Sequence, residues 1–382
     1  MSTLPEQAKS FSSFTPKLRT LMGPGPSDVS PRVLNALSRS TLGHLDPQFI
    51  QLMDEVGELL RYTFRTQNSL TMPISAPGSA GMEACFANLI EANDKVVVCI
   101  NGVFGARMKE NILRCGGIPI EINSDWGLQT SADELDTVLS ENKNVKAVAF
   151  VHAETSTGVR NDAKKLCSIA KKHQCLTIVD TVTALAGIEL LVDEWQIDAT
   201  YSGSQKCLSC VPGLSPVSFS EHALAVIKSR KTPVQSWFLD LNLILGYWQG
   251  GAKRAYHHTA PVNSLYALHE SLLMVYEEGL ENAWQRHTNK HQQLRTGLES
   301  LGLSFTVDSA YRLPQLNLVN IPDGIDDAAI RGELLHRYGL EIGAGLGVFA
   351  GKVWRIGLMG SACTEKNIHH CVSSLRKVLK AS

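Results

Sequence analysis

The feature of this sequence that most restricts its fold is a regular alternation of short β-branched runs with stretches of helical period. The β-branched runs lie at 69–74, 95–100, 145–151, 176–182 and 199–203. Repetition of strand and helix predicts the α/β class, with a mostly parallel sheet sandwiched by helices. In such sheets ligands bind at the carboxyl ends of the strands, so the residues just past each strand are the candidates for chemistry.

The last third of the chain changes in character, which predicts a second and smaller domain. A long helical pattern covers residues 261–301. After it, strands and helices alternate at 316–321, 326–338, 353–358 and 365–379. We therefore divide the chain into an N-terminal arm at 1–20, a large domain at 21–280 and a smaller C-terminal α+β domain at 281–382. Because the boundary lies within a helix, a rigid hinge is expected there.

The charge balance excludes several classes of function. The chain has 36 lysines and arginines against 37 aspartates and glutamates, so no broad basic field exists to hold nucleic acid or an anionic membrane. The longest nearly apolar stretch, 184–192, is interrupted by Gly187 and Glu189. It is much shorter than the roughly 20 residues of a spanning helix. We expect a soluble globular protein with neither a nucleic-acid nor a membrane partner.

The cysteines and the chain ends bear on the compartment. Nine cysteines, an odd number, are scattered through apolar runs, which is typical of reduced thiols and favours a cytoplasmic location. Residues 1–20 lack the apolar region of a secretory signal and are interpreted as a surface arm. Their serine-rich, acid-poor composition leaves a mitochondrial transit peptide open. The end Lys380-Ala-Ser382 differs from the peroxisomal Ser-Lys-Leu signal, and a peroxisomal location also stays open.

No metal site is expected. Cys207 and Cys210 form a single CxxC pair without a second pair at zinc spacing, so packing is the preferred interpretation. The histidine pairs 257–258 and 369–370 are adjacent along the chain. Neighbouring side chains point in different directions and do not form a ready chelate.

Two residues at strand ends indicate the chemistry. Lys206 follows the run at 199–203 among small polar residues, and Asp180 follows the largely apolar Leu176-Thr-Ile-Val179 in the run at 176–182. The two are 26 positions apart, about one crossover unit, so both side chains can enter one crevice. Pyridoxal phosphate (PLP) chemistry requires this combination, because a lysine amine forms the Schiff base and a carboxylate keeps the pyridine nitrogen protonated. Taken singly, Lys206 is also compatible with an ordinary exposed lysine, and Asp180 with a helix-capping aspartate.

A glycine- and serine-rich segment supplies a candidate phosphate seat. Residues 75–83 read Ser-Ala-Pro-Gly-Ser-Ala-Gly-Met-Glu, follow a predicted strand and open a helix. The free N–H groups of a helix N-terminus bind anions. Many loops of this composition are only turns, so the segment gains its meaning from Lys206 and Asp180.

Arg355 interrupts an apolar strand of the predicted small domain. An unpaired guanidinium is costly there, and its planar fork suits a bidentate carboxylate partner. That partner is either a structural salt bridge or the carboxylate of a substrate.

Over nearly its whole length the sequence resembles the class V, fold-type I PLP-dependent aminotransferases, in particular the alanine–glyoxylate and serine–glyoxylate (serine–pyruvate) branch. The motifs that carry the resemblance are Met22-Gly-Pro-Gly-Pro-Ser27, Gly43-His-Leu-Asp46, His152-Ala-Glu-Thr-Ser-Thr-Gly158, Val179-Asp180, Tyr201-Ser-Gly-Ser-Gln-Lys206, Tyr256-His-His-Thr259 and Gly351-Lys-Val-Trp-Arg-Ile-Gly357. Their order and spacing match as well.

The resemblance implies a role for each matching residue. It makes Lys206 the Schiff-base lysine, Asp180 the partner of the pyridine nitrogen, and Arg355 with Gly25 the binding residues of the substrate. It also implies that the cofactor is held by Pro77, Gly78, Ser79, Phe104, Thr155 and Gln205, and that Tyr256 and Thr259 reach the phosphate of the neighbouring subunit in a homodimer. Phe104 replaces the usual tryptophan and offers less π-surface. Pro77 replaces a hydroxyl or glycine, which leaves more of the phosphate binding to backbone N–H groups.

We therefore expect a ping-pong aminotransferase. The resemblance implies alanine or serine as the amino donor and glyoxylate or pyruvate as the acceptor. With glyoxylate as the acceptor, the products are glycine and the 2-oxo acid of the donor. A 3-hydroxykynurenine transaminase of the same branch is an alternative. A cysteine desulfurase or lyase is another, with Cys363 as the only loop cysteine available, and an inactive scaffold is the alternative without an enzymatic role.

Overall fold

A computed structural model of the protein describes residues 12–248 and 254–381. The strands are β1 (Thr20–Leu21), β2 (Leu70–Ile74), β3 (Lys95–Ile100), β4 (Ile118–Asn123), β5 (Val145–Val151), β6 (Ala153–Glu154), β7 (Val159–Arg160), β8 (Leu176–Asp180), β9 (Ala199–Tyr201), β10 (Ser215–Phe219), β11 (Leu316–Asn320), β12 (Leu340–Glu341), β13 (Gly343–Ala344) and β14 (Val353–Gly357). The helices are α1 (Pro31–Leu37), α2 (Pro47–Phe64), α3 (Gly78–Leu89), α4 (Val103–Arg114), α5 (Ala132–Glu141), α6 (Ala163–Lys172), α7 (Glu221–Lys228), α8 (Leu241–Trp248), α9 (Val262–Glu278), α10 (Leu280–Glu299), α11 (Asp327–Tyr338) and α12 (Glu365–Ala381). Short 3₁₀ helices cover Gly347–Phe349 and Gly360–Ala362.

A seven-stranded sheet forms the centre of the larger part of the molecule. Its strands follow the order β2-β10-β9-β8-β5-β3-β4, and only β10 runs antiparallel to its neighbours. The predicted mostly parallel α/β sheet is therefore confirmed. Strands β5 and β8 are almost entirely buried, as expected of parallel strands covered on both faces.

All five predicted strands of this sheet are present, and two further strands were not predicted. Strand β4 lies at the edge and buries only Ile122 completely, so its apolar pattern is weak. Strand β10 contains two serines and Pro216, which read as loop residues in a sequence. Its burial between β2 and β9 overrides that local preference.

Helix starts follow the capping signals of the sequence. The side chains of Ser30 and Asp46 accept hydrogen bonds from the backbone N–H groups of Arg32 and Gln48, at the starts of α1 and α2. The helix predicted over 261–301 is instead two helices. Gly279 separates α9 from α10 and has a φ of +82°, a conformation that ends a right-handed helix.

The C-terminal part has its own small antiparallel sheet, ordered β11-β14-β13. The buried apolar side chains form two clusters, and the smaller one contains Trp354 and Ile356 of β14 together with residues of α10, α11 and α12. The domain boundary near residue 280 stays a prediction. Of the N-terminal arm, residues 1–11 lie outside the described residues, and Phe14 and Leu18 are exposed.

The described residues also bear on membrane association and on disulfide bonds. No helix within 12–248 or 254–381 has the length and apolar character needed to cross a membrane. All nine cysteines are free thiols, and eight of them are buried.

Candidate active site

Lys206 lies in the turn that follows β9, at the carboxyl edge of the large sheet. Its ammonium donates a hydrogen bond to the carbonyl oxygen of Pro24. A Cβ atom at Gly25 would lie 2.4 Å from the Lys206 Nζ atom, and Gly25 has a φ of +99°. Glycine is therefore needed at position 25 both for its backbone conformation and for the room that it leaves to the lysine.

The surroundings of Lys206 favour its neutral amine. Burial, together with the guanidinium of Arg355, lowers the pKa of Lys206 from 10.5 to about 8, whereas the charges of Cys207 and Asp180 oppose the shift. The amine form is the nucleophile and the proton acceptor. Near neutral pH, Lys206 is thus far more available for chemistry than an exposed lysine.

Asp180 ends β8 and is buried. Its Oδ1 accepts a hydrogen bond of 2.8 Å from the backbone N–H of Val182, and its Oδ2 accepts one of 2.8 Å from the Tyr201 hydroxyl. Burial raises the pKa of Asp180 to about 7, and the positive charge of Lys206 acts in the opposite direction. The carboxylate is oriented by two donors and gains most from a cationic partner such as a protonated ring nitrogen.

A second buried carboxylate, Glu154, lies at the start of α4. Its oxygens accept hydrogen bonds from the N–H of Ser156 at 3.0 Å, the Ser156 hydroxyl at 2.5 Å and the N–H of Phe104 at 3.2 Å. Burial raises the pKa of Glu154, and these donors counteract the rise. Glu154 thereby holds Phe104 in place at the first turn of α4.

The predicted phosphate seat forms the N-terminus of α3. Pro77 occupies the N-cap position, and no side chain among the described residues caps the helix there. Pro77 and Ser79 are exposed, while Gly78 is buried against the ends of β8 and β9. A Cβ atom at Gly78 would lie 3.3 Å from the Ser202 carbonyl oxygen and 3.4 Å from Val182. The helix N-terminus therefore points to the same edge of the sheet as Lys206, which suits an anion.

The side chain of Gln205 adds a polar group next to this seat. Its amide oxygen is buried and has no hydrogen-bond partner within the described residues. A Cβ atom at Gly203 would lie 2.8 Å from that oxygen. An orphaned buried amide is expected to find its partner in a ligand.

Arg355 extends from β14 towards the large sheet and is 8% exposed. Its Nε donates a hydrogen bond of 2.7 Å to the carbonyl oxygen of Ala344, and its Nη1 donates one of 3.4 Å to the carbonyl oxygen of Thr155. Within the described residues its partners are therefore carbonyl oxygens, not the carboxylate of a structural salt bridge. Burial lowers the pKa of Arg355, and Glu154 opposes this shift. A buried cation of this kind suits a carboxylate ligand.

The remaining predicted residues are Thr155, Phe104, Tyr256 and Thr259. Thr155 is buried directly after Glu154. The guanidinium of Arg107 lies 5.0 Å from the centre of the partly buried Phe104 ring. Tyr256 is 61% exposed and packs against His44, and its hydroxyl lies 3.3 Å from that of Thr259. Thr259 is exposed as well.

Several site residues were missed by the sequence analysis. Tyr201 lies opposite Asp180 in the register of β8 and β9, so strand pairing was the signal for their hydrogen bond. Glu154 is an acid inside an otherwise neutral motif, which could have marked it. Ser27 is bonded to the Lys206 turn, and no local pattern shows a contact across 179 residues.

Comparison with known proteins identifies the family. The profile of the family described as aminotransferase class-V matches residues 30–368. The chain belongs to the class-V aminotransferases. It is 39% identical to an alanine–glyoxylate aminotransferase of Drosophila melanogaster, with 95% of this chain and 93% of the relative covered. It is 38% identical to an (S)-ureidoglycine–glyoxylate transaminase of Bacillus subtilis (strain 168), with 95% and 91% covered.

Solved structures agree with this assignment. This class-V aminotransferase superposes on the crystal structure of an alanine–glyoxylate aminotransferase from Nostoc sp. with a TM-score of 0.96 and 43% identity, covering 99% of this chain and 100% of the other. The fold is that of the fold-type I PLP-dependent transferases, as the sequence analysis expected. The chain is therefore an enzyme with transaminase activity, which excludes the inactive scaffold. PLP is the usual cofactor of this family and fold.

Proposed function

We propose that this class-V aminotransferase uses PLP to transfer the amino group of a small amino acid, alanine or serine, to glyoxylate or pyruvate. The observation that supports the proposal best is the convergence of Lys206, Asp180 and Arg355 at one edge of the large sheet. The charges of Asp180 and Arg355 both act on the pKa of Lys206, which Asp180 raises and Arg355 lowers. Relatives that are 37–39% identical over 95–98% of the chain are named alanine–glyoxylate aminotransferases.

The residues present fit PLP. The uncapped N-terminus of α3 and the orphaned amide of Gln205 are suited to the phosphate. The buried carboxylate of Asp180 is suited to the protonated ring nitrogen, and Phe104 and Thr155 to the ring itself. When bound through Lys206, PLP supplies an aromatic ring that accepts the electrons released at the substrate Cα atom.

The protein's own groups supply binding and proton transfer. Arg355 binds the carboxylate of the amino or keto acid and thereby orients its Cα atom. The neutral amine of Lys206, once free, would take the proton from this Cα atom and pass it to the bound cofactor within the same half-reaction. In the second half-reaction it would carry a proton in the reverse direction, to the Cα atom derived from the keto acid. Asp180, held by Tyr201 and Val182, keeps the proton on the ring nitrogen.

A second amino donor is supported by one comparison. The (S)-ureidoglycine–glyoxylate transaminase of Bacillus subtilis is as similar to this chain as the alanine–glyoxylate enzymes are. Glyoxylate is common to the names of both. Glyoxylate is therefore the better supported acceptor, and (S)-ureidoglycine joins alanine and serine as a candidate donor.

The desulfurase alternative requires a reactive cysteine, and the structure gives Cys363 different surroundings. Cys363 is buried within the smaller apolar cluster. Burial raises the pKa of its thiol to about 11. A reactive cysteine is an accessible thiolate of lowered pKa, so the transaminase proposal is preferred.

The proposal includes a homodimer. Tyr256 and Thr259 are both exposed and their hydroxyls lie 3.3 Å apart, which fits residues that complete the site of a second subunit. A cytoplasmic location agrees with nine free thiols and is part of the proposal.

A donor and acceptor panel tests the proposed function. Purified enzyme with PLP is assayed with alanine, serine, (S)-ureidoglycine, 3-hydroxykynurenine and cysteine, each against glyoxylate and pyruvate. We expect alanine or serine with glyoxylate to give the highest kcat/KM, with glycine as product. Release of sulfide from cysteine as the fastest reaction would support the desulfurase instead.

A further inference from the structure

The carbonyl group of Lys206 is held by two serines to which the sequence analysis assigned no role. Its oxygen accepts a hydrogen bond of 2.8 Å from the Ser27 hydroxyl and one of 2.9 Å from the N–H of Ser209. The preceding carbonyl, of Gln205, accepts a hydrogen bond of 2.9 Å from the N–H of Ser27. The peptide groups on both sides of the Lys206 Cα atom are thus fixed by contacts outside the lysine side chain.

The two serine hydroxyls form a chain of hydrogen bonds whose direction is determined. The N–H of Ser361 can only donate, and it donates to the Ser209 Oγ atom at 2.7 Å. The Lys206 carbonyl can only accept, and it accepts from the Ser27 hydroxyl. The Ser27 and Ser209 oxygens lie 3.3 Å apart. The proton between them therefore belongs to Ser209, and each hydroxyl donates towards Lys206. We call Ser209 and Ser27 the hydroxyl relay.

The hydroxyl relay joins three segments of the site. Ser361 follows β14, the strand that carries Arg355. Ser27 ends the segment that contains Pro24 and Gly25, and these two contact the Lys206 ammonium. This N-terminal segment is also bonded to β14, because the N–H of Gly357 donates to the carbonyl oxygen of Met22 at 2.7 Å. Both ends of the lysine side chain are thus tied to the strand that supplies Arg355.

The backbone around the hydroxyl relay has an uncommon conformation and is closely packed. Ser209 has a φ of +55°, a region that residues with a side chain rarely adopt. A Cβ atom at Gly360 would lie 2.0 Å from the Ser209 Oγ atom, so glycine is required beside the relay. The N–H of Gly360 is in turn fixed by Nε2 of the buried His287 at 3.0 Å. Backbone strain held in place by its surroundings is common beside functional groups.

We propose that Ser209 and Ser27 are positioning residues that fix the Lys206 amine relative to the carboxylate site at Arg355. The inference rests on the proposed function, because Arg355 is assigned there to the substrate carboxylate. The relay itself touches neither substrate nor cofactor. It acts through the backbone of Lys206 and through the segment that contacts the ammonium.

The test uses variants that separate the hydroxyl from the backbone strain. Ser209→Ala and Ser209→Gly both remove the hydroxyl, but glycine adopts a positive φ without strain. Ser27→Ala interrupts the relay at its other member, and the double variant removes both. Ser218→Ala is the matched control, because Ser218 is a buried serine of β10 whose hydroxyl is bonded to Thr71 and Asn68.

Two measurements are made on every variant. In cofactor-free protein, acetylation of Lys206 by acetic anhydride is followed by mass spectrometry as a function of pH, which gives the pKa of this amine. In the PLP-loaded enzyme, kcat and KM are measured with alanine and glyoxylate. Wild-type turnover tests the proposed function, whereas the acetylation profile tests the relay without cofactor or substrate.

We expect Ser209→Ala, Ser209→Gly and Ser27→Ala to raise the pKa of Lys206 alike, from about 8 towards its ordinary value, as the amine loses its fixed buried position. We expect kcat to fall about tenfold with KM nearly unchanged. The double variant is expected to be no worse than the single ones, since the relay acts as one unit. The proposal would be overturned if the pKa of Lys206 and kcat kept their wild-type values in all three single variants, or in Ser209→Gly alone.

Discussion

At the scale of single residues, Arg355 offers the clearest test of substrate binding. Arg355→Gln keeps a polar amide N–H donor but removes the charge and the planar fork. Hydrogen bonds to charged groups contribute about 1.5–3 kcal/mol, so we expect KM for the amino donor to rise about 10–100-fold with a smaller change in kcat. Arg337→Gln is the control, because Arg337 is an exposed residue of α11 paired with Glu333. Equal KM values in wild type and Arg355→Gln would refute the assigned role.

Asp180 links activity to stability through its charge. Burial raises the pKa of this carboxyl to about 7 in the folded protein. Between about pH 4 and pH 7 the folded state therefore binds more protons than the unfolded chain, and stability without cofactor falls as the pH rises through this range. Asparagine has no charge to bury.

We expect cofactor-free Asp180→Asn to melt about 2–4 °C above the wild type at about pH 8, with the difference vanishing towards about pH 4. The same variant is expected to lose transaminase activity, since it cannot hold the ring nitrogen protonated. Thermal unfolding at several pH values measures the first effect, with the exposed Asp125→Asn as control. A wild type that is more stable than Asp180→Asn at high pH would contradict the burial cost.

At the scale of elements, the position of α3 determines the geometry of the proposed phosphate seat. Gly81 lies in its first turns, and a Cβ atom there would lie 2.0 Å from Ser215 Oγ and 3.1 Å from the Tyr201 Cβ atom. Gly81→Ala should push α3 away from β9 and β10, at a cost of about 1–3 kcal/mol, and weaken PLP binding. Gly332→Ala in α11 is the control, because nothing lies within 4 Å of its Cβ position.

The control is expected to gain about 0.5–1 kcal/mol, since alanine is the better helix former. Chemical denaturation and PLP titration measure both variants. Unchanged stability and PLP affinity in Gly81→Ala would show that α3 is not fixed against the sheet in this way.

The elements also show how far the sequence predicts the fold. Periodicity placed β3 and β5 at their observed bounds because buried parallel strands are continuous apolar runs. Strand β10 was not predicted, because its serines and Pro216 adopt strand conformation only through pairing with β2 and β9. The single helix expected over 261–301 was wrong because one residue, Gly279, interrupts an otherwise continuous apolar pattern.

The site divides in the same way. The positions of Lys206 and Asp180 at the carboxyl edge of the sheet were predictable, because Asp180 ends one recognisable strand and Lys206 lies shortly after another. Their hydrogen-bond partners were harder to predict. Tyr201 reaches Asp180 only because β8 and β9 pair, and Ser27 lies 179 positions before Lys206 in the sequence. Contacts of this kind depend on the assembled fold and leave no local pattern.

At the scale of the whole molecule, the proposed dimer makes each site depend on two subunits. Lys206→Ala lacks the amine, and the double variant Tyr256→Ala/Thr259→Ala lacks the groups proposed to reach the neighbouring phosphate. A mixed dimer of these two chains has one site with every group intact. After subunits are mixed in equal amounts by refolding, half of the dimers are mixed, so we expect about a quarter of wild-type activity.

The parental proteins, treated identically, serve as controls and are expected to be nearly inactive. Activity of the mixture equal to the mean of the two parents would show that each chain completes its own site. Sedimentation measurements on the same samples establish that dimers are present.

The most direct measurement is the identification of the lysine that binds PLP. Enzyme loaded with PLP is reduced with borohydride, which makes a lysine–cofactor bond permanent, and is then digested and analysed by mass spectrometry. The expected result is a single modified peptide with the adduct on Lys206, and none in Lys206→Ala. An adduct on another lysine, or no adduct in the wild type, would contradict a site built on Lys206 and Asp180.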